Sequence, residues 1–237
     1  MDKNSHQSFD GNLRKRFYLF RHGEVDYTGT GGVVKDPDLV NLTDNGKKQA
    51  VIIDENTKDF LIERIISSGL PRTLQTAKHI AERRNLEIET FPSLKEYQWD
   101  PKLLVKTDIK KFGYLFEDSK AKEMIGGTED ADEFYNRVTC KLEELIKEDW
   151  NNMAAFLHGA VNAAIMCWVN DVDISYASKY DQDHACLNII DIDINKNGEI
   201  VRKILKRYNV PPYIRSIDSE IESSWEKTAS KIANLKQ

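Results

Sequence analysis

The chain lacks the features that would place it in a membrane, outside the cell or on nucleic acid. None of its apolar runs approaches the roughly eighteen residues that a membrane-spanning helix needs. Only 3 of the 237 residues are cysteine, and no two of them have CxxC spacing. Cys140, Cys167 and Cys186 therefore read as reduced thiols of a cytoplasmic protein, not as a disulfide framework or a zinc site. No apolar segment of the signal-peptide kind occurs near Met1, so residues 1–15 read as a flexible leader. Excess positive charge is also missing: 34 Lys and Arg stand against 39 Asp and Glu, a formal net charge of -5. That balance argues against a nucleic-acid partner, and the basic stretch at 13–16 is too short to argue for nucleic acid or membrane. A chain of this charge that binds an anion must concentrate its positive charge locally, which singles out individual arginines.

What is present is a soluble, globular pattern, with 40% hydrophobic and 31% charged residues. Apolar runs at 16–20, 63–67, 86–90 and 153–157 read as strands. Helices are expected at 45–55, 71–84 and 128–148, the last with Phe134, Val138, Leu142 and Leu145 as its apolar stripe. Residues 161–169 are apolar on every side and read as a buried helix. Segments 187–194 and 199–205 read as a hairpin turning through Asn195-Lys196-Asn197-Gly198. Strands alternating with helices give an α/β fold, a three-layer α/β/α sandwich with a mostly parallel central sheet. With no repeat and no linker, one domain spans 16–212. It carries an insertion at about 97–127, with helical pieces near 109–119, and a C-terminal helical tail at 213–237. That tail, with Ile217, Ile221, Trp225 and Ile232 at helical spacing, either covers the domain or makes a homodimer contact.

The unusual polar residues fall where these strands end. Arg21 and His22 follow the first strand, Arg72 lies just beyond the second, and His158 follows the fourth. Parallel sheets bind ligands outside the carboxyl ends of their strands, so the three clusters can converge on one crevice. Two arginines and two histidines around a point suit an oxyanion. Arginine offers a planar fork to phosphate, and a neutral imidazole can attack phosphorus. Neighbouring arginines disfavour a protonated ring, and a carboxylic acid is wanted to protonate the leaving oxygen.

The segments around these residues resemble those of the histidine phosphatase (phosphoglycerate mutase-like) superfamily. Leu19-Phe20-Arg21-His22-Gly23-Glu24 resembles its RHG motif, and Leu42-Thr43-Asp44-Asn45-Gly46-Lys47-Lys48-Gln49-Ala50 its LTxxGxxQA segment. The run from Ser67 to Ala77 resembles SSxxxRxxQTA, Leu94-Lys95-Glu96 resembles LxE, and Phe156-Leu157-His158-Gly159 the late HG. The resemblance covers about 16–210. It implies a nucleophilic His22 and a phosphoryl group held by Arg21, Arg72 and His158. It also implies Glu96 as general acid and then base, with the second ring nitrogen of His22 donating to a backbone carbonyl. No metal or cofactor is implied.

Two positions depart from the pattern. Val25 follows Glu24 where Ser or Thr is common, and Thr28 stands where an Asn is expected, so its hydroxyl is a candidate phosphate contact. The G-x-W-E-G segment after LxE is replaced by Tyr97-Gln98-Trp99-Asp100-Pro101, which leaves Asp100 as a second candidate acid. His79 reads as a surface residue and His6 as part of the leader; His184, before the last hairpin, either borders the pocket or is a non-site residue, the second being the reading adopted. Asp193 to Gly198 begins like a calcium loop, but Ile204 stands at the twelfth position. The glycines at 29, 31 and 32 lack a following Gly-Lys-Ser/Thr and read as a mobile lip, not a nucleotide loop. Lys102, Lys106, Lys110 and Lys111 either meet a second anionic group or form a solvated helix face, the second being the reading adopted.

Together these observations lead to the expectation of a metal-independent phosphatase acting on a small phosphorylated substrate, with a phosphoprotein as the open alternative. Two other readings stay open: a phosphoglycerate mutase-type transferase, and a catalytically silent phosphate or phosphoprotein binder.

Overall fold

A computed structural model describes residues 6–8, 10–28, 35–98, 116, 129–213, 223 and 227. In chain order the elements are β1 (His6–Gln7), β2 (Leu13–Arg21), α1 (Asp44–Asn56), β3 (Arg64–Ser67), α2 (Pro71–Arg84) and β4 (Ile88–Thr90). A 3-10 turn at Pro92–Leu94 leads to α3 (Ala131–Ile146), β5 (Asn152–Leu157) and α4 (Gly159–Val169). A second 3-10 turn (Ile174–Lys179) precedes β6 (Leu187–Ile194) and β7 (Ile200–Val210).

The strands form one sheet in the order β4-β3-β5-β2-β6-β7, with β1 paired to β2. Strands β4, β3, β5 and β2 run parallel, while β6 and β7 continue the sheet antiparallel. Alternation along the strands builds two cores. Phe17, Leu19, Ile66, Met153, Ala155 and Leu157 face α3 and α4 on one side. Tyr18, Phe20, Ile65, Ala154 and Phe156 face the side where Ile53, Ala77 and Ile80 of α1 and α2 pack. This is the period-two logic of a sheet buried on both faces. Helix α4 is buried along its whole length, as its unbroken apolar run requires.

The chain order around β2 and β5 makes a crevice. From β2 the chain crosses by α1 to β3, on the far side of β5; from β5 it crosses by α4 to β6, on the far side of β2. Helices leaving in opposite directions open a gap at the carboxyl ends of the two strands. Register places Arg21 opposite Leu157 and Ser67 opposite Phe156, so all three polar clusters emerge at one edge.

Several boundaries differ from the sequence reading. Within the leader expected at 1–15, the described residues include strand: β2 begins at Leu13, and His6–Gln7 folds back onto it. Arg14 and Arg16 anchor this extension by forked ion pairs to Asp193 and Asp191 on the neighbouring β6. Those pairs use the basic stretch structurally, and they also show Asp193 serving a hairpin. Strand β7 runs five residues beyond the expected 205. The expected helical pieces near 109–119, the glycine-rich lip and the tail helix lie outside the described residues, apart from Phe116, Tyr213, Ser223 and Lys227. Cys140, Cys167 and Cys186 are free thiols. No helix among the described residues is long and apolar enough to cross a membrane.

One backbone contact fastens the crevice. The loop leaving β2 lies directly on the first turn of α1: a Cβ on Gly46 would sit 2.2 Å from the Glu24 carbonyl oxygen, and one on Gly23 would sit 2.7 Å from Gly46 O. Neither backbone can give way cheaply. Gly46→Ala is therefore expected to cost about 2 kcal/mol, the scale of overpacking, and to lower the urea midpoint accordingly. An unchanged midpoint would show that this close approach is dispensable.

Candidate active site

His22 is the first residue beyond β2. Its backbone N–H donates to Leu157 O at 3.0 Å, which stitches the strand end to β5. The ring is 1% exposed. Its Nδ1 lies 2.8 Å from Gly23 O. A carbonyl only accepts, so Nδ1 carries the hydrogen and Nε2 presents a lone pair. The loop beneath is held from α1 and α2. Gly23 N–H donates to Thr76 Oγ1 at 3.0 Å, and Glu24 N–H to Gln49 Oε1 at 2.7 Å. The Glu24 carboxylate accepts from Thr43 Oγ1 at 2.8 Å and from Asn45 Nδ2 at 3.1 Å. Thr43 is also the N-cap of α1, accepting from Gly46 N–H.

Two guanidinium groups and a second histidine close around this ring. Arg72, in the first turn of α2, is 1% exposed, and Arg21, at the end of β2, is 9% exposed. Arg72 Nη1 donates to Pro37 O, and Arg21 Nη1 to Gln182 O. The Nε of each is buried without a hydrogen-bond partner among the described residues. Neither forms an ion pair with a carboxylate among the described residues. Two buried cations in that condition are costly unless an anion joins them. His158, the N-cap of α4, is fully buried, with its ring 5.3 Å from that of His22.

The histidines respond to this field. Burial, then Arg72, His158 and Arg21, holds His22 well below the ordinary histidine range. His158 is pushed the same way by burial, then Arg72 and Arg21. Both rings are thus neutral near pH 7, which leaves His22 Nε2 a nucleophile and the guanidiniums the source of positive charge.

Glu96 stands at the N-terminus of α4. Its Oε2 accepts from Ala160 N–H at 3.3 Å and its Oε1 from Tyr97 N–H at 3.0 Å, so the carboxyl is placed beside His158. Asp100 lies outside the described residues. Thr28, the candidate phosphate contact, donates its hydroxyl hydrogen to Asp26 Oδ1 at 2.6 Å.

Two residues of this neighbourhood escaped the sequence reading. His184, taken there as a non-site residue, brings its ring within 5.8 Å of His22 and its Nε2 within 3.4 Å of Arg21 Nη2. Arg137 of α3 donates to Ser93 O at 2.7 Å, Lys95 O at 2.8 Å and Glu96 O at 3.2 Å, and it pairs with Glu129. Neither sits in a motif with its partners, so only tertiary contact reveals them.

Comparison with known proteins agrees with this geometry. Residues 17–203 match the family described as histidine phosphatase superfamily (branch 1). Phosphoserine phosphatase 1 of Hydrogenobacter thermophilus is 30% identical over 192 residues, covering 77% of this chain and 89% of that protein. A probable phosphoglycerate mutase of Proteus mirabilis is 35% identical over 113 residues, covering 48% of this chain and 51% of its own length. Among solved structures, a mycobacterial glucosyl-3-phosphoglycerate phosphatase superposes with a TM-score of 0.69 at 20% identity, covering 83% of this chain and 99% of that one. At that identity the likeness speaks for the fold.

The neutral histidines give a pH signature. Unfolding returns both rings to an ordinary value near 6.5, well above their folded values. Below that pH the unfolded chain binds more protons than the folded one, so stability falls as pH falls. In phosphate-free buffer the urea midpoint should drop from about pH 6.5 downward. A His22→Asn, His158→Asn double variant should show a shallower acid limb. Identical limbs would mean that the rings are not buried neutral.

Proposed function

Because the chain belongs to the histidine phosphatase superfamily (branch 1), we propose that it hydrolyses a phosphomonoester through a phosphohistidine on His22, without a metal. The observation that carries this reading is the His22 tautomer: a buried neutral ring with Nδ1–H tied to Gly23 O leaves Nε2 to attack beside two guanidinium groups that no carboxylate among the described residues pairs.

The steps balance with the groups at hand. Nε2 of His22 forms a bond to phosphorus while the ester P–O bond breaks, and Glu96 gives its proton to the leaving oxygen. Arg21, Arg72 and His158 hold the phosphoryl oxygens, as electrostatic stabilisation of phosphoryl transfer requires. Water then attacks phosphorus and passes a proton to Glu96, the N–P bond breaks, and neutral His22 is restored with release of inorganic phosphate. Two sequence relatives are named for phosphoserine and phosphoglycerate, both carboxylated phosphate esters. A small substrate of that class is accordingly the one proposed.

Hydrolysis of p-nitrophenyl phosphate in the presence of EDTA is the direct test. Turnover by the wild type that His22→Ala abolishes supports the reading, whereas equal turnover by both proteins overturns the phosphohistidine. Transfer to an acceptor acid without release of phosphate would mark a mutase instead. Glu96→Gln separates the acid step: it should slow hydrolysis of an alkyl ester such as phosphoserine by about 10²–10⁴-fold. Its effect on formation of the phosphoenzyme from p-nitrophenyl phosphate should be much smaller, because nitrophenolate leaves without a proton. Equal losses in the phosphorylation step for both esters would remove Glu96 from the acid role.

A further inference from the structure

A set of hydroxyl groups behind His158 fixes which of its nitrogens carries the hydrogen. His158 Nε2 lies 2.8 Å from Ser68 Oγ, which lies 3.0 Å from Thr73 Oγ1. Thr73 Oγ1 receives the Ser67 hydroxyl at 2.8 Å and lies 2.8 Å from Leu70 O, to which it donates. Leu70 N–H donates to Ser68 Oγ at 3.4 Å, and Gly69 N–H to Ser67 Oγ at 3.1 Å. A hydroxyl has one proton to give and two lone pairs to receive. Only one assignment puts a proton in every contact: Thr73 gives to Leu70, Ser68 gives to Thr73, and His158 gives from Nε2 to Ser68. Were Ser68 to donate to the ring instead, either the Ser68–Thr73 or the Thr73–Leu70 contact would set lone pair against lone pair.

Neutral His158 thus has its hydrogen on Nε2 and a lone pair on Nδ1, the opposite tautomer to His22. Its Nδ1 is buried with no hydrogen-bond partner among the described residues. With Nε2 committed to Ser68, Nδ1 is the nitrogen left to meet a phosphoryl oxygen, and a lone pair there repels an anion. Resting on the phosphatase reading above, we propose that the phosphoryl group enters the site together with one proton, which lands on Nδ1 of His158, and that Ser68 is the positioning residue that imposes this coupling. The proton is drawn from solvent, stays on Nδ1 through attack by His22 and attack by water, and returns to solvent when inorganic phosphate leaves. The net reaction is unchanged.

The surroundings favour this linkage. Arg72 from α2, Arg21 from β2, Arg137 from α3 and Lys95 from the loop before it act on His158 as positive charges. The neutral ring of His22 lies 5.3 Å away, and the Glu96 carboxyl sits on the adjacent Ala160 N–H. Against those cations and without solvent, the ring resists a proton until a bound anion offsets the field.

Sulfate is the probe, since its charge does not change over the range tested. Calorimetric titration of the full chain in buffers of differing ionisation enthalpy, between about pH 6 and pH 8, reads proton uptake directly. The wild type is expected to take up about one proton per sulfate and to bind about tenfold more weakly per pH unit of increase. Uptake should fall toward zero in His158→Asn. It should also fall in Ser68→Ala, where the neutral ring is freed to carry its hydrogen on Nδ1. His184→Asn should keep it, although its ring lies 5.8 Å from His22. Sulfate binding without uptake by the wild type overturns the coupling and leaves the phosphatase reading standing, as does uptake retained in His158→Asn or Ser68→Ala. Uptake lost in His184→Asn alone overturns it by moving the proton to His184. A wild type that binds neither sulfate nor inorganic phosphate overturns both.

Discussion

The structure depends on two guanidinium groups buried beside two histidines without a carboxylate among the described residues to neutralise them. Removing one charge from water costs several kcal/mol even after relaxation, and two like charges in one crevice cost more. Backbone carbonyls of Gln182 and Pro37 relieve part of this, and the Tyr27 ring, 6.0 Å from Arg72 Cζ, offers its face. What remains is a positive potential that no carboxylate among the described residues neutralises. Burial first, and then this field, holds both histidines neutral, and a neutral ring keeps a lone pair that a protonated one lacks.

Such a cluster needs a rigid frame, because like charges left free would simply swing apart into solvent. Much of what looks like motif is that frame. Of the LTxxGxxQA segment, none of Thr43, Gly46 and Gln49 is among the charged and aromatic groups gathered around His22. Gly46 lets the loop after His22 lie on α1 at backbone contact, while Gln49 and Thr43 take up the N–H and carboxylate of Glu24. Thr76 does the same for Gly23 from α2 while bonding its own helix at Arg72 O. The segments that match the family are thus largely a means of fixing one short turn of backbone, and with it the direction of one ring.

This division explains what could be read from the chain alone. Strand and helix order, the crevice at the strand ends and the convergence of Arg21, His22, Arg72 and His158 were legible because each rests on local pattern plus one topological rule. The Nδ1 contact of His22 was expected only from the family resemblance, and the carbonyl it meets is that of the next residue. Contacts between distant segments were not legible. His184 follows no motif and comes to Arg21 across 163 residues, through a loop whose Ala185 has positive φ. The local bond of Thr28 was not foreseen either: its hydroxyl donates to a carboxylate two residues away, that of Asp26. The start of β2 was placed three residues late because Leu13 is followed by two consecutive charged residues, Arg14 and Lys15, which break any apolar run. Only the aspartates of β6 show that its arginines belong to a ladder.

The segment after Glu96 gives the last instance of this logic. The chain there lacks the glycine- and tryptophan-containing run of the family pattern, which on sequence grounds weakens Glu96 as the acid. The structure holds that residue from behind. Arg137 reaches from α3 to three consecutive-turn carbonyls, those of Ser93, Lys95 and Glu96, while its other edge is forked onto Glu129. The Tyr97 hydroxyl closes the same corner on Glu129 O at 2.6 Å. A guanidinium with five donors can immobilise a loop by its backbone and ask nothing of the side chains that follow. Among the described residues, the Glu96 carboxyl is thus placed by the α4 N-terminus and the Tyr97 backbone N–H, on a loop that Arg137 of α3 holds by its carbonyls.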